Sequence, residues 1–324
     1  MRVFINGFGR IGRSVLRAWA QNPDAWPGLD IVAINDIAAP DMLAYLLEYD
    51  SVFGPWRGTL VQEPGALVIN GKRLALHRAG DISTLDLGDI DLVMECTGRA
   101  DTPAIAGQGL AGGAARVLIS GPSKAAEITV VTGANDGDLN GQRIVSNASC
   151  TTNALAPLAR LMDDAFGVVT GSMTTVHCYT ASQPTIDQPR DAMERSRAAS
   201  LSMVPTTTSA GRLMEQVLPG LSGRLIAQAV RVPTASVSAV DLAVIVKRPA
   251  TVAQINAVLT GAGGVIGTTD RPLVSTDLRA RPESVVMALR ETKITDHGLI
   301  RVFGWYDNEW GFSNRMLDVA LRMA

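Results

Sequence analysis

Few residues in this chain could do covalent chemistry. There are three cysteines, Cys96, Cys150 and Cys178, and three histidines, His77, His177 and His297. Cys150 lies in Ser149-Cys150-Thr151-Thr152-Asn153, where a short β-branched run, Ile144 to Ser146, gives way to helical spacing at Leu155, Leu158, Leu161 and Met162. A thiol in the first turn of a helix meets unpaired N–H groups and the positive end of the helix dipole. We therefore expect Cys150 to be held as a thiolate nucleophile. Cys96 ends an apolar run and Cys178 lies inside one, the ordinary setting of an inert buried cysteine. A thiol nucleophile works with an imidazole base. His77 falls in a hairpin and His297 beside Gly298, whereas His177 stands near the end of a strand, in Thr174-Thr175-Val176-His177-Cys178-Tyr179. From there it could reach a helix start at a domain seam, although a lone strand histidine also suits a purely structural role. Neither residue type has zinc-site spacing, so no metal is expected.

A second kind of chemistry is suggested at the N-terminus. Gly7-Phe8-Gly9-Arg10-Ile11-Gly12 is a G-x-G-x-x-G placed after the strand-like Val3-Phe4-Ile5 and before helical spacing at Ile11, Val15, Leu16 and Trp19. Glycines there permit the turn, the approach of a pyrophosphate to the backbone and close helix–strand packing. Asp36 follows the next apolar run, 24 positions after Gly12. A carboxylate at that point accepts bonds from ribose hydroxyls and repels a 2′-phosphate, favouring NAD over NADP.

These residues need a scaffold of two domains, and 324 residues suffice for it. Continuous apolar runs at Ile31 to Ile34, Leu92 to Met94 and Val117 to Ile119 imply strands buried on both faces. Helical segments alternate with them, one predicted from Pro103 to Leu110, and hairpins are predicted around residues 57–78. The first half is thus α/β, a doubly wound Rossmann-type sheet. From residue 150 longer strands are expected at Val168 to Tyr179, Leu225 to Val232 and Val237 to Val246, making a second, α+β domain on an antiparallel or mixed sheet. The expected division is 1–149 with a returning helix at 309–324, against 150–308. The polar stretch Ala181 to Arg197 is too long for an ordinary connection and reads as a functional loop.

Composition excludes several classes. With 47% hydrophobic and 19% charged residues the chain is globular. Net charge −2 gives no basic field for nucleic acid. The N-terminus lacks a secretory segment, no run is long enough for a membrane helix, and three unmatched cysteines suit a reducing cytoplasm.

Taken together, Asn6-Gly7-Phe8-Gly9-Arg10-Ile11-Gly12, Ile34-Asn35-Asp36, Glu95-Cys96-Thr97-Gly98 and Ser146-Asn147-Ala148-Ser149-Cys150-Thr151-Thr152-Asn153 resemble the phosphorylating glyceraldehyde-3-phosphate dehydrogenase family. So do Thr174-Thr175-Val176-His177, Arg231-Val232-Pro233-Thr234 and Trp305-Tyr306-Asp307-Asn308-Glu309-Trp310. The resemblance covers the chain in the family's order. It implies that Cys150 adds to an aldehyde with His177 as base, that hydride leaves to NAD, and that inorganic phosphate resolves a thioester. Cofactor contacts are implied for Gly7, Gly9, Arg10, Ile11, Gly12, Asp36, Arg78, Thr97, Gly98 and Ser120, with Asn308 at the nicotinamide carboxamide. Thr180 and Arg231 are implied at the substrate phosphate, Ser149, Thr151, Arg195, Thr208 and Ser209 at the incoming one, and Ser182 among the substrate- or phosphate-binding residues. Glyceraldehyde 3-phosphate, inorganic phosphate and a homotetramer are the implied partners.

The chain departs from the family pattern in places. Ser209 replaces a glycine after Thr208, Ser182 a frequent threonine, Ser236 an asparagine and Phe312 a tyrosine; Glu194 stands for a common basic residue in a loop one residue short. Alternatives are the hydrolytic erythrose-4-phosphate dehydrogenase, and a divergent paralogue with mainly a binding role.

Overall fold

The computed structural model describes residues 1–324. The backbone packs as two units, 1–130 with 135–148 and 313–324, and 131–134 with 149–312. The division differs from the expected one by a few residues, for local reasons. Gly133 lies so close to Pro157 and Val265 that a Cβ there would touch both, and one on Gly311 would sit 2.5 Å from the Glu283 carbonyl oxygen. Both segments are therefore packed into the second unit.

The first unit carries nine strands: β1 (Arg2–Asn6), β2 (Asp30–Asn35), β3 (Leu60–Glu63), β4 (Ala66–Ile69), β5 (Lys72–His77), β6 (Leu92–Glu95), β7 (Arg116–Ile119), β8 (Ile128–Thr129) and β9 (Ile144–Ser146). Their order is β3-β4-β5-β2-β1-β6-β7-β9-β8. From β5 to β8 all pairs are parallel. The core strands Phe4, Ile5, Leu92, Val93 and Leu118 are completely buried, which is why their sequences run apolar without alternation. The chain winds outward on one side of β1 and then on the other, so β1 and β6 flank the switch point of a doubly wound sheet. The hairpins expected near 57–78 are β3-β4-β5, and the β4–β5 turn uses Asn70 and Gly71, both at positive φ. The helix expected from Pro103 to Leu110 is instead two single turns, Pro103–Ala106 and Gln108–Ala111, which meet at Gly107.

The second unit carries β10 (Val168–Cys178), β11 (Val204–Thr206), β12 (Leu225–Val232), β13 (Ser238–Val246), β14 (Ile266–Thr269), β15 (Val285–Ala288), β16 (Lys293–Ile294) and β17 (Ile300–Tyr306). The order is β11-β12-β10-β13-β17-β15-β14, with β16 added on β17. The sheet is mixed: β10 runs parallel to β12 and antiparallel to β13. Val240, Leu242 and Val244 are fully buried, as their shared parity predicts. Helices Cys150–Phe166, Ala210–Val217 and Val252–Ala262 belong to this unit. The last begins with a Thr251/Gln254 capping box.

Candidate active site

Ser149 caps the helix Cys150–Phe166: its hydroxyl accepts the Thr152 N–H at 3.1 Å, so Cys150 is the first helical residue. The chain enters this turn through Ala148, whose φ of +57° is in the left-handed region. His177 is next to last in β10, and its Nε2 lies 3.5 Å from the Cys150 sulfur. Its Nδ1 lies 2.7 Å from the Cys178 carbonyl oxygen. Parallel pairing sets His177 directly beside Arg231 of β12. The Arg231 Nη1 donates to the same carbonyl at 2.9 Å and lies 2.7 Å from the imidazole Nδ1. A carbonyl only accepts and a guanidinium only donates, so the two neighbours of Nδ1 pull the proton in opposite senses; with the proton on Nδ1, Nε2 turns its lone pair to the thiol.

The electrostatics differ from the expected thiolate. Cys150 is half-buried, and burial pushes its thiol up. The Arg231 charge, the Thr151 hydroxyl and the N–H groups of Thr151 and Cys150 pull it back, but less strongly. Burial, followed by the Arg231 charge, pushes the His177 imidazole down to about 4. Burial therefore opposes the charged form of both groups. The helix start favours the thiolate as foreseen, yet does not outweigh desolvation. Ionisation must accompany attack, with the proton passing to Nε2.

Tyr306, at the end of β17, was not foreseen as a site residue. Its buried hydroxyl bridges Thr151 Oγ1 at 2.9 Å and Thr175 Oγ1 at 2.7 Å, and its ring meets His177 edge-on at 6.0 Å. It ties the nucleophile's helix to the base's strand. The alternation of β17, buried at Ile300, Val302, Gly304 and Tyr306, is the signal that could have pointed inward.

The residues expected at phosphates are largely engaged within the chain. The Ser149 hydroxyl caps its helix and that of Thr151 bonds Tyr306. Thr180 and Ser182 share a hydrogen bond of 2.9 Å. Arg195 donates to Thr206 Oγ1 at 2.6 Å and to Thr207. Thr208 Oγ1 accepts the Ala210 N–H at 3.2 Å. Ser209 has φ −71°, so the side chain replacing glycine costs no backbone strain.

In the first unit a cavity of about 340 Å³ lies at the carboxyl ends of β1, β2 and β6. Gly7, Gly9, Asp36 and Thr97 line it, together with Asn6, Asn35, Cys96 and Arg99, which were not foreseen as ligand contacts. A Cβ on Gly12 would stand 2.1 Å from the Gly7 carbonyl oxygen, whereas one on Gly9 would meet nothing within 4 Å. The helix Arg10–Gln21 has no side-chain cap, and a helix start opening on a glycine turn suits an anion. Asp36 is fixed by the N–H groups of Phe8 at 2.7 Å and Ala38 at 2.9 Å. These features fit a dinucleotide. Arg10, Ile11, Arg78, Gly98 and Ser120 do not line the cavity. Arg10 pairs with Asp50, and Arg78 donates to the Ile37 carbonyl.

Residues 149–308 match the glyceraldehyde 3-phosphate dehydrogenase C-terminal domain, and residues 1–103 match its NAD-binding domain. The chain is 45% identical to glyceraldehyde-3-phosphate dehydrogenase of Zymomonas mobilis, over all of this chain and 98% of the relative. It is 43% identical to that of Xanthobacter flavus and 41% to that of Geobacillus stearothermophilus, with the same coverage.

Proposed function

Because the chain belongs to the glyceraldehyde-3-phosphate dehydrogenase family, an NAD-dependent group of oxidoreductases, we propose that it oxidises glyceraldehyde 3-phosphate to 1,3-bisphosphoglycerate with inorganic phosphate. The observation that carries this is the His177 Nε2 at 3.5 Å from the Cys150 sulfur, with Nδ1 2.7 Å from the Cys178 carbonyl oxygen. His177 takes the thiol proton as sulfur adds to the aldehyde carbon, giving a hemithioacetal oxyanion. The imidazolium and the N–H groups at the helix start stabilise that oxygen. The glycine turn and Asp36 would hold NAD, with Asn308 at its carboxamide, and the cofactor would supply the hydride acceptor; loss of hydride from the hemithioacetal carbon leaves a thioester on Cys150. Inorganic phosphate then attacks the thioester carbon and the Cys150 thiolate departs, to be reprotonated from His177. Arg231, Thr180 and Ser182 bind the substrate phosphate, while Arg195, Thr208 and Ser209 receive the second anion. We place the enzyme in the cytoplasm as a homotetramer.

The test compares glyceraldehyde 3-phosphate with erythrose 4-phosphate, each with and without inorganic phosphate, following NADH. Strict phosphate dependence with the triose is expected. Phosphate-independent turnover of erythrose 4-phosphate would reject this reading for the hydrolytic one.

A further inference from the structure

Cys178 is the buried thiol that the proposed chemistry leaves unused, yet every polar atom of the residue is engaged. Its N–H donates to Ser238 Oγ at 3.1 Å, and its carbonyl accepts from Arg231 at 2.9 Å and lies 2.7 Å from His177 Nδ1. Its sulfur lies 3.1 Å from Asn308 Oδ1. The Ser238 hydroxyl approaches the same Oδ1 at 3.5 Å. Burial pushes the Cys178 thiol up to about 12, so it remains protonated and is a donor. The Ser238 oxygen already accepts from the Cys178 N–H, which leaves its hydroxyl proton to be donated. Two donors thus face one oxygen, and that settles which end of the Asn308 amide points inward. Asn308 is buried and its Nδ2 has no hydrogen bond within the chain.

We propose that Cys178 is a positioning residue: its thiol locks the Asn308 amide by the oxygen and presents Nδ2 as the free donor to the carbonyl of the nicotinamide carboxamide. The inference rests on the reading of Asn308 as a nicotinamide contact. The same residue orients the base through its backbone carbonyl, so one position fixes both the imidazole and the amide. Ser238 follows Val237, a β-branched residue held in the left-handed region at φ +64° by its surroundings.

Titration calorimetry on the full chain with NAD and with ADP-ribose, which lacks nicotinamide, tests this. C178A should weaken NAD about tenfold, the worth of one lost hydrogen bond, and leave ADP-ribose unchanged. C178S, which keeps a donor, should recover most of the loss, and N308A should reproduce the NAD-selective defect. If N308A is selective but C178A binds NAD normally, or weakens both ligands equally, the positioning role is overturned and the Asn308 reading stands. If N308A itself does not discriminate the ligands, the Asn308 reading falls and the proposal with it.

Discussion

Burial and the neighbouring Arg231 charge hold the His177 imidazole down to about 4, against an ordinary value of 6.5, so it is uncharged wherever the enzyme must take a proton from Cys150. Two consequences follow for pH. The acidic limb of kcat/KM set by this base should fall below pH 5, because the free enzyme keeps Nε2 unprotonated down to that range. Stability should also change. Above pH 6.5 the group is neutral in both folded and unfolded chains and contributes nothing. As pH falls from 6.5 toward 4 the unfolded chain takes up the proton first, so the folded state loses stability, by about 3 kcal/mol in full. Urea unfolding at pH 7 and pH 4.5 should show a smaller acid loss in H177N than in the parent. An equal loss in both would place the acid sensitivity elsewhere.

The glycine turn and the helix it opens divide fold from ligand at neighbouring positions. A Cβ on Gly12 collides with the Gly7 carbonyl, so G12A should lower the thermal midpoint even without cofactor. Gly9 has open space and φ −70°, so G9A should unfold at the parent's temperature while losing NAD affinity by tenfold or more, since the approach of the pyrophosphate is what the glycine permits. Unaltered NAD binding by G9A would remove the dinucleotide from this turn. The same turn shows what was legible in the sequence. Cys150 at a helix start and Asp36 after β2 follow from local rules of capping and periodicity, because each depends on its immediate neighbours. Arg231 beside Nδ1, Tyr306 between Thr151 and Thr175, and Asp50 on Arg10 depend on strand register and long-range packing. Spacing along the chain carries no record of those. The burial that opposes ionisation of the thiol was not legible for a related reason: the helix start is local, but burial is a property of the whole surroundings.

Each of the two units has its own sheet and its own part of the chemistry, and the second exposes apolar side chains in the irregular segment after β10. Ile186, Met193, Leu201 and Met203 are 78%, 91%, 84% and 74% exposed. Apolar surface of this kind is covered by association. Sedimentation velocity at micromolar concentration should give a particle of four chains, and M193D with L201D should yield a smaller one. A monomeric parent would contradict the proposed assembly.

The central claim is that Cys150 carries the acyl group. Mixing the enzyme with NAD and glyceraldehyde 3-phosphate in the absence of inorganic phosphate, quenching in acid and mapping the digest by mass spectrometry reads this directly. The 3-phosphoglyceryl mass should appear on the peptide containing Cys150, disappear on adding phosphate, and be absent from C150S. An acyl group on Cys96 or Cys178, or turnover by C150S near that of the parent, would contradict the account.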